Sequence, residues 1–161
     1  MRDPGIIITG DVHHRDPYLF REQKCHEMDE LDAALHWVST LKSYQLNGTL
    51  FVTGKCFKES SGNINKIKLE EHIEIGGHTW NCNKPKIVYK IWNRLFPDMR
   101  NGPAFLQTID VQKTIKEASK LGINIKSWRN HAYRDYKNTL GILAACKITH
   151  VSNKVCPNSK I

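Results

Sequence analysis

What this sequence lacks narrows the field first. No apolar run approaches the roughly 18 consecutive residues of a membrane-spanning helix. The stretch Ile6-Ile7-Ile8 behind Met1-Arg2-Asp3-Pro4-Gly5 is too short for the apolar core of a signal peptide. No membrane span is therefore expected, and the chain reads as cytoplasmic. Cys-x-x-Cys is absent. The five cysteines, Cys25, Cys56, Cys82, Cys146 and Cys156, are odd in number and scattered, which suggests neither a disulfide framework nor a zinc ribbon and predicts reduced thiols. Blocks of like charge are absent too, although 24 Lys+Arg against 16 Asp+Glu give a net charge of +8. That charge steers acidic partners toward the chain. Spread from Arg2 to Lys160, it describes a basic surface, and no specific nucleic-acid binding is expected. With no repeat, low-complexity tract or linker, the 161 residues read as one domain around a single core.

What is there alternates between strands and helices. Ile6-Ile7-Ile8-Thr9 is a β-branched run closed by Gly10, the pattern of a strand buried on both faces. Leu31, Leu35, Val38 and Leu41 then recur at steps of four and three, which predicts a helix over 29–45 ended by Asn47-Gly48. A second buried strand is expected over 49–53, a helix over 63–71, and a third strand over 73–75 ending at Gly76-Gly77. Further on, Ile87, Ile91 and Leu95 form a helical stripe over 85–96, and 97–103 reads as loop. A helix over 110–121 stops at Gly122, followed by a strand at 123–125, a helix over 138–146 and a last strand over 148–151. This order argues for an α/β fold of mostly parallel strands, in which ligands bind beyond the carboxyl ends of the strands.

That geometry selects the chemistry-bearing residues. Asp11, His13 and His14 follow the first strand, His78 to Cys82 follow the third, and Trp128, Arg129, Asn130 and His131 follow 123–125. A carboxylate, several imidazoles, a thiol and a guanidinium around one rim suit a divalent metal whose incomplete protein shell leaves a position for an activated water. His78 and Cys82, four apart, face the same way if the chain turns helically from Thr79. Each residue alone has a plainer reading: a strand-end His satisfied by hydrogen bonds, Cys82 as a small buried hydrophobe, Arg129 as a surface charge.

Four segments stand in a telling order: Thr9-Gly10-Asp11-Val12-His13, Gly48-Thr49-Leu50-Phe51-Val52-Thr53-Gly54, Glu74-Ile75-Gly76-Gly77-His78-Thr79-Trp80-Asn81-Cys82, and Trp128-Arg129-Asn130-His131-Ala132-Tyr133 preceded by Leu121-Gly122. They resemble the polysaccharide deacetylase (NodB-like) family, carbohydrate esterases that remove acetyl groups from N-acetylated sugars. The corresponding family motifs read Thr-Phe-Asp-Asp-Gly, Ala-Thr-Phe-Phe-Val-x-Gly, Glu-Ile-Gly-Asn-His-Thr-x-x-His and Arg-x-Pro-Tyr. The third match is the most specific. The resemblance implies an incomplete or distorted (β/α) barrel of mostly parallel strands, a single domain over 1–161 lacking the C-terminal part of the usual barrel, and an exposed sheet edge.

The resemblance also implies roles. Asp11 matches the general base, His78 the first metal histidine, Arg129 the residue that orients the base, and Thr79 the hydroxyl residue that steadies the metal loop. Val12 stands where the family has a second, metal-binding Asp, and Cys82 where it has the second His. The implied ligand set is then drawn from Asp11, His78, His13, His14 and Cys82, around zinc first and cobalt or nickel next. Trp80, Tyr133 and Trp128 offer candidate faces for sugar stacking. The family's later Leu-x-x-His, whose His is the general acid, has no counterpart. The acid is then absent, supplied by another residue such as His131, or lost with a shortened C-terminus.

Two rivals stand beside a metal-dependent carbohydrate deacetylase. One is a deacetylase-like fold without activity that binds a glycan or a protein partner. The other is a calcineurin-like metallophosphoesterase, since Asp11-x-His13 and Gly76-Gly77-His78 are similar to its Asp-x-His and Gly-Asn-His. Its Gly-Asp-x-x-Asp and Gly-His-x-His are missing.

Overall fold

A computed structural model describes residues 6–16, 23, 28–82, 86–97, 102–133 and 138–154. It contains five strands in one sheet in the order β1-β2-β3-β4-β5, every neighbouring pair parallel. Sequential parallel order requires each crossover to step one strand along the sheet, as in a (β/α) barrel. Among the described residues the sheet does not close, and β1 and β5 are its two edges. The expected α/β architecture with an incomplete barrel is what the chain builds.

The first three strands carry the register. β1 (Ile8–Val12) pairs along its length with β2 (Gly48–Val52), which pairs likewise with β3 (Ile73–Gly77). The expected strand at 6–9 is displaced forward: Ile6 and Ile7 are 90% and 84% exposed, while Gly10 and Asp11 lie inside β1. The ladder sets this limit. Ile8 is matched to Gly48, where β2 begins, so earlier residues find no partner.

Helix α1 (Glu30–Ser43) starts where the Asp29 side chain accepts the Asp32 amide at 2.8 Å, with acids in its first turn and Lys42 in its last complementing the helix dipole. It buries Leu31, Ala34, Val38 and Leu41 against Val12, Leu50, Val52 and the rest of one apolar core. Two short helices follow β2: α2 (Gly54–Glu59), which lacks a readable period, and α3 (Ser61–Lys68), which buries Ile64 and Ile67. In α4 (Lys86–Leu95) the helix is as expected, but its stripe turns outward. Ile87, Ile91 and Leu95 are 67%, 57% and 66% exposed, and the buried residue is Tyr89.

Helix α5 begins at Ala104 and runs to Lys120, six residues earlier than its apolar period suggests. No strand forms at 123–125. Ile123 and Ile125 are buried as core plugs, and β4 is the two-residue Ser127–Trp128, whose Trp128 pairs with Gly77. The last elements are α6 (Thr139–Ala145) and β5 (His150–Val151). Gly77 makes the β3–β4 approach possible: a Cβ there would run into the Trp128 ring, and one at Gly76 would lie 2.8 Å from Phe51 Cδ1. Cys56, Cys82 and Cys146 are free thiols, whereas Cys25 and Cys156 lie outside the described residues. Among those residues no helix is long and apolar enough to cross a membrane.

Candidate active site

At the carboxyl end of β1, Asp11 Oδ1 accepts from Arg129 Nη1 at 2.9 Å. Arg129 follows β4 directly and is buried. Its Nη2 donates to Thr9 Oγ1 and to Ser152 Oγ, both at 2.8 Å, and its guanidinium carbon stands 4.3 Å from the Phe51 ring centre and 5.0 Å from that of Tyr133. A planar fork held at so many points fixes the carboxylate opposite it. Asp11 nevertheless keeps 24% of its side chain accessible, so a ligand can reach it.

The neighbouring wall is made of imidazoles. The rings of His13, His78 and His131 meet edge to face, with centroids 5.1 Å apart for His13 and His78, 5.5 Å for His13 and His131, and 5.7 Å for His78 and His131. One ligand atom each of His13, Cys82 and His131 lies within 4.8 Å of the other two. His78 Nδ1 is 2.9 Å from the Arg129 carbonyl; because a carbonyl only accepts, Nδ1 carries the proton and Nε2 the lone pair. That Nε2 is buried with no hydrogen-bond partner. Burial first, then the nearby His13 and His131, push the His78 pKa well below its usual value, so the ring is neutral and available as a ligand.

His13 is fixed from outside by Glu30, the first residue of α1. Glu30 Oε2 accepts from the His13 amide at 2.7 Å and from Nδ1 at 2.9 Å, while Gln23 Nε2 donates to Glu30 Oε1 at 2.6 Å. Burial raises the Glu30 pKa, but the hydrogen bonds from His13 and Gln23 and the nearness of the His13 ring together outweigh it and hold the carboxyl below its usual value. Glu30 was missed in the sequence, where an acid in a helix's first turn is fully explained by the dipole.

Cys82 reaches the cluster by strained backbone, not by a helical turn. Thr79 and Cys82 have φ of 54° and 56°, and on the opposite loop Ala132 and Tyr133 have 58° and 54°; among the described residues the other non-glycine residues at positive φ, Gln45 and Lys147, close helices α1 and α6. Left-handed conformations in side-chain-bearing residues persist where the surroundings impose them. Here the amides of Gly54 and Lys55, opening α2, donate to the carbonyls of Thr79 and Trp80 at 2.8 and 3.0 Å. Asp110 Oδ2 accepts the Trp80 amide at 2.8 Å. Burial lifts the Asp110 pKa to about 7 against the opposing pull of that amide and of Lys113. Burial also pushes the Cys82 thiol up. The turn at 129–131 is pinned in turn: Trp128 Nε1 donates to Asn130 Oδ1 and the Asn130 amide to Asn153 Oδ1, both at 2.7 Å.

The remaining candidates separate. His14 is buried and its amide donates to Thr53 Oγ1 at 3.0 Å; neither it nor Asp11 belongs to the converging donors. Val12 is buried in the core. Thr79 is buried, as is Trp80, whose ring packs on Gly54 with Lys113 Nζ 3.9 Å over it. Trp128 is a core residue. Of the three aromatics, Tyr133 is the one that is well exposed.

Imidazole nitrogens with a thiol match a borderline-soft divalent ion of the zinc type far better than magnesium or calcium, which take oxygen ligands. Beside them His78 Nε2 is buried without a hydrogen-bond partner, and with these donor types the residues fit such an ion.

The open, sequentially wound parallel sheet with its site beyond the strand ends defines a barrel-type α/β protein. The particular fold is that of the NodB-like polysaccharide deacetylases. A structure from Mycobacterium smegmatis assigned as a polysaccharide deacetylase superposes with a TM-score of 0.69 at 16% identity, covering 91% of this chain and 50% of that one. A carbohydrate esterase family 4 pseudoenzyme from Bacillus anthracis gives 0.63 at 14%, covering 90% and 41%. The family 4 carbohydrate esterase from Streptomyces lividans, in complex with acetate, gives 0.63 at 11%, covering 93% and 62%. The chain thus spans between 41% and 62% of the length of these structures. No family model matches it, and no curated protein does.

Proposed function

We propose that this protein is a metal-dependent hydrolase that removes an acetyl or similar acyl group from an N-acetylated sugar or polysaccharide, working in the cytoplasm as a single deacetylase-like domain over 1–161. The observation that carries this reading is the Asp11–Arg129 pair at 2.9 Å beside a wall of imidazoles and a thiol, on a deacetylase fold. The Streptomyces lividans esterase holds acetate, the product such a reaction releases.

A bound zinc-like ion, with cobalt or nickel as substitutes, supplies Lewis acidity toward the acetamide carbonyl and toward water. The chain's own residues do the rest. Asp11 takes the proton of the water that adds to the carbonyl carbon, and Arg129 keeps its carboxylate aimed. Breaking the C–N bond leaves acetate and an amine whose nitrogen takes up a proton. Tyr133, exposed beside Arg129, offers a stacking face to the sugar. His131 stands where it can donate that proton or hold the ion.

Acetate release from N-acetylglucosamine oligomers by zinc- or cobalt-loaded protein tests the reading. Turnover that falls roughly 10²- to 10⁴-fold in Asp11→Asn, the usual worth of a general base, supports it. Ion-loaded protein that releases no acetate from any acetylated sugar contradicts it. One observation favours a second reading, an inactive glycan- or protein-binding relative: Val12, where the family has a ligand Asp, is locked in the core. Binding of acetylated oligomers without turnover would support that alternative.

A further inference from the structure

We propose that the ion is held by His13, Cys82 and His131, that Glu30 fixes His13 from outside, and that Asp11 is not a ligand. The inference rests on the metal-dependent reading above and sharpens it by replacing a carboxylate-bearing ligand set with two imidazoles and a thiolate.

Three observations converge. First, these three side chains bring ligand atoms within 4.8 Å of one another. A tetrahedral ion with ligands at about 2.0–2.3 Å sets them roughly 3.5 Å apart, so closing on an ion takes only small rotations. Second, Glu30 holds His13 Nδ1 at 2.9 Å. A carboxylate only accepts, so Nδ1 is the protonated nitrogen and the lone pair sits on Nε2, the carboxylate–histidine arrangement that orients metal ligands. Third, His78 edges against both imidazoles with Nε2 buried and without a hydrogen-bond partner. His78 is not one of the three converging donors; its buried nitrogen, costly to leave without a partner, makes the pocket beside them polar.

Asp11 is excluded by its commitments: Oδ1 is ion-paired to Arg129, and its side chain is not among the converging donors. Cys82 suits the ligand role although burial disfavours its thiolate, because a bound cation deprotonates a coordinating thiol outright. Placing a thiolate beside imidazoles selects zinc or cobalt over oxygen-loving ions.

Zinc-edge X-ray absorption on the unmutated, zinc-loaded protein is the test, and it needs no variant to fold. The expected result is one sulfur at about 2.3 Å with nitrogens at about 2.0–2.1 Å. Cobalt-loaded protein should carry a thiolate-to-cobalt charge-transfer band that vanishes in Cys82→Ser, with circular dichroism checking that the variant is folded. Stoichiometric zinc in a shell of nitrogen and oxygen alone overturns the proposal and leaves the metal-dependent reading standing. Protein that stays empty when challenged with zinc, cobalt and nickel overturns both.

Discussion

The two sides of the pocket differ in how they are built. One side is a carboxylate and a guanidinium, Asp11 and Arg129, tied to Thr9 and Ser152. Here polar demand is met within the protein. The other side is His13, His78, His131 and Cys82, where His78 Nε2 is buried without a partner and the supporting loops hold four side-chain-bearing residues at positive φ. The first side is held by its own hydrogen bonds, whereas the second leaves the His78 Nε2 lone pair buried without a partner and is the side to which the proposal assigns an ion. Asp11, Arg129 and His78 all fall on motifs that resemble those of the deacetylases, whereas Cys82 stands where that pattern has a histidine.

Breaking the satisfied side should have the largest effect on stability. Arg129→Met removes the partner of Asp11 and the anchor of Ser152, and losing one member of a buried pair costs about 3–5 kcal/mol; because Asp11 retains solvent contact, the lower end is expected, read by urea denaturation.

On the other side, Glu30→Gln leaves the fold in place but loosens His13. Zinc affinity should fall roughly 10- to 100-fold, the usual effect of losing an outer carboxylate, as measured by competition with a chromophoric chelator. An unchanged affinity would remove Glu30 from the account.

The imidazole and thiol side has a further support, Asp110 behind the Trp80 amide. Its carboxyl is lifted from 3.8 to about 7, so the folded protein holds a proton that the unfolded chain has released. Stability from this group is complete below the unfolded value and is lost as pH rises toward the folded one. Asp110→Asn keeps an oxygen for the amide and removes the titration. Its melting temperature relative to wild type should therefore climb between pH 3.8 and about 7 and level off above. His78, pushed well below its ordinary 6.5, acts oppositely: its contribution is present above that value and is lost as pH falls, when the unfolded chain takes up the proton.

The smallest effect belongs far from both sides. Ile91→Ser on the exposed stripe of α4 should change stability by no more than about 0.5 kcal/mol in the same denaturation experiment.

How much of this was legible follows the same divide between regular and strained structure. β2 and β3 could be read because strands buried in a parallel sheet are continuous apolar runs. α1 could be read because its stripe, dipole and caps agree. Ile6 and Ile7 misled because apolarity reports preference, whereas a strand also needs a partner across the ladder. Ile123 and Ile125 misled because burial does not require a strand, and β4, a Ser and a Trp, has no pattern to find. The α4 period gave the helix but not the direction it faces. At the site, the Asp11–Arg129 pair followed from the family motifs. Glu30 was hidden in a helix start, and His131 entered as a proton donor because only folding brings it across to His13 and Cys82.

The central claim is that the two sides divide the work, protons to Asp11 and the ion to the imidazole and thiol wall. Elemental mass spectrometry of wild type, Asp11→Asn and His131→Asn, each purified under reducing conditions and loaded with zinc, tests that division most directly. The account predicts near one zinc per chain in wild type and Asp11→Asn and a large loss in His131→Asn. Zinc lost from Asp11→Asn and retained by His131→Asn would contradict it.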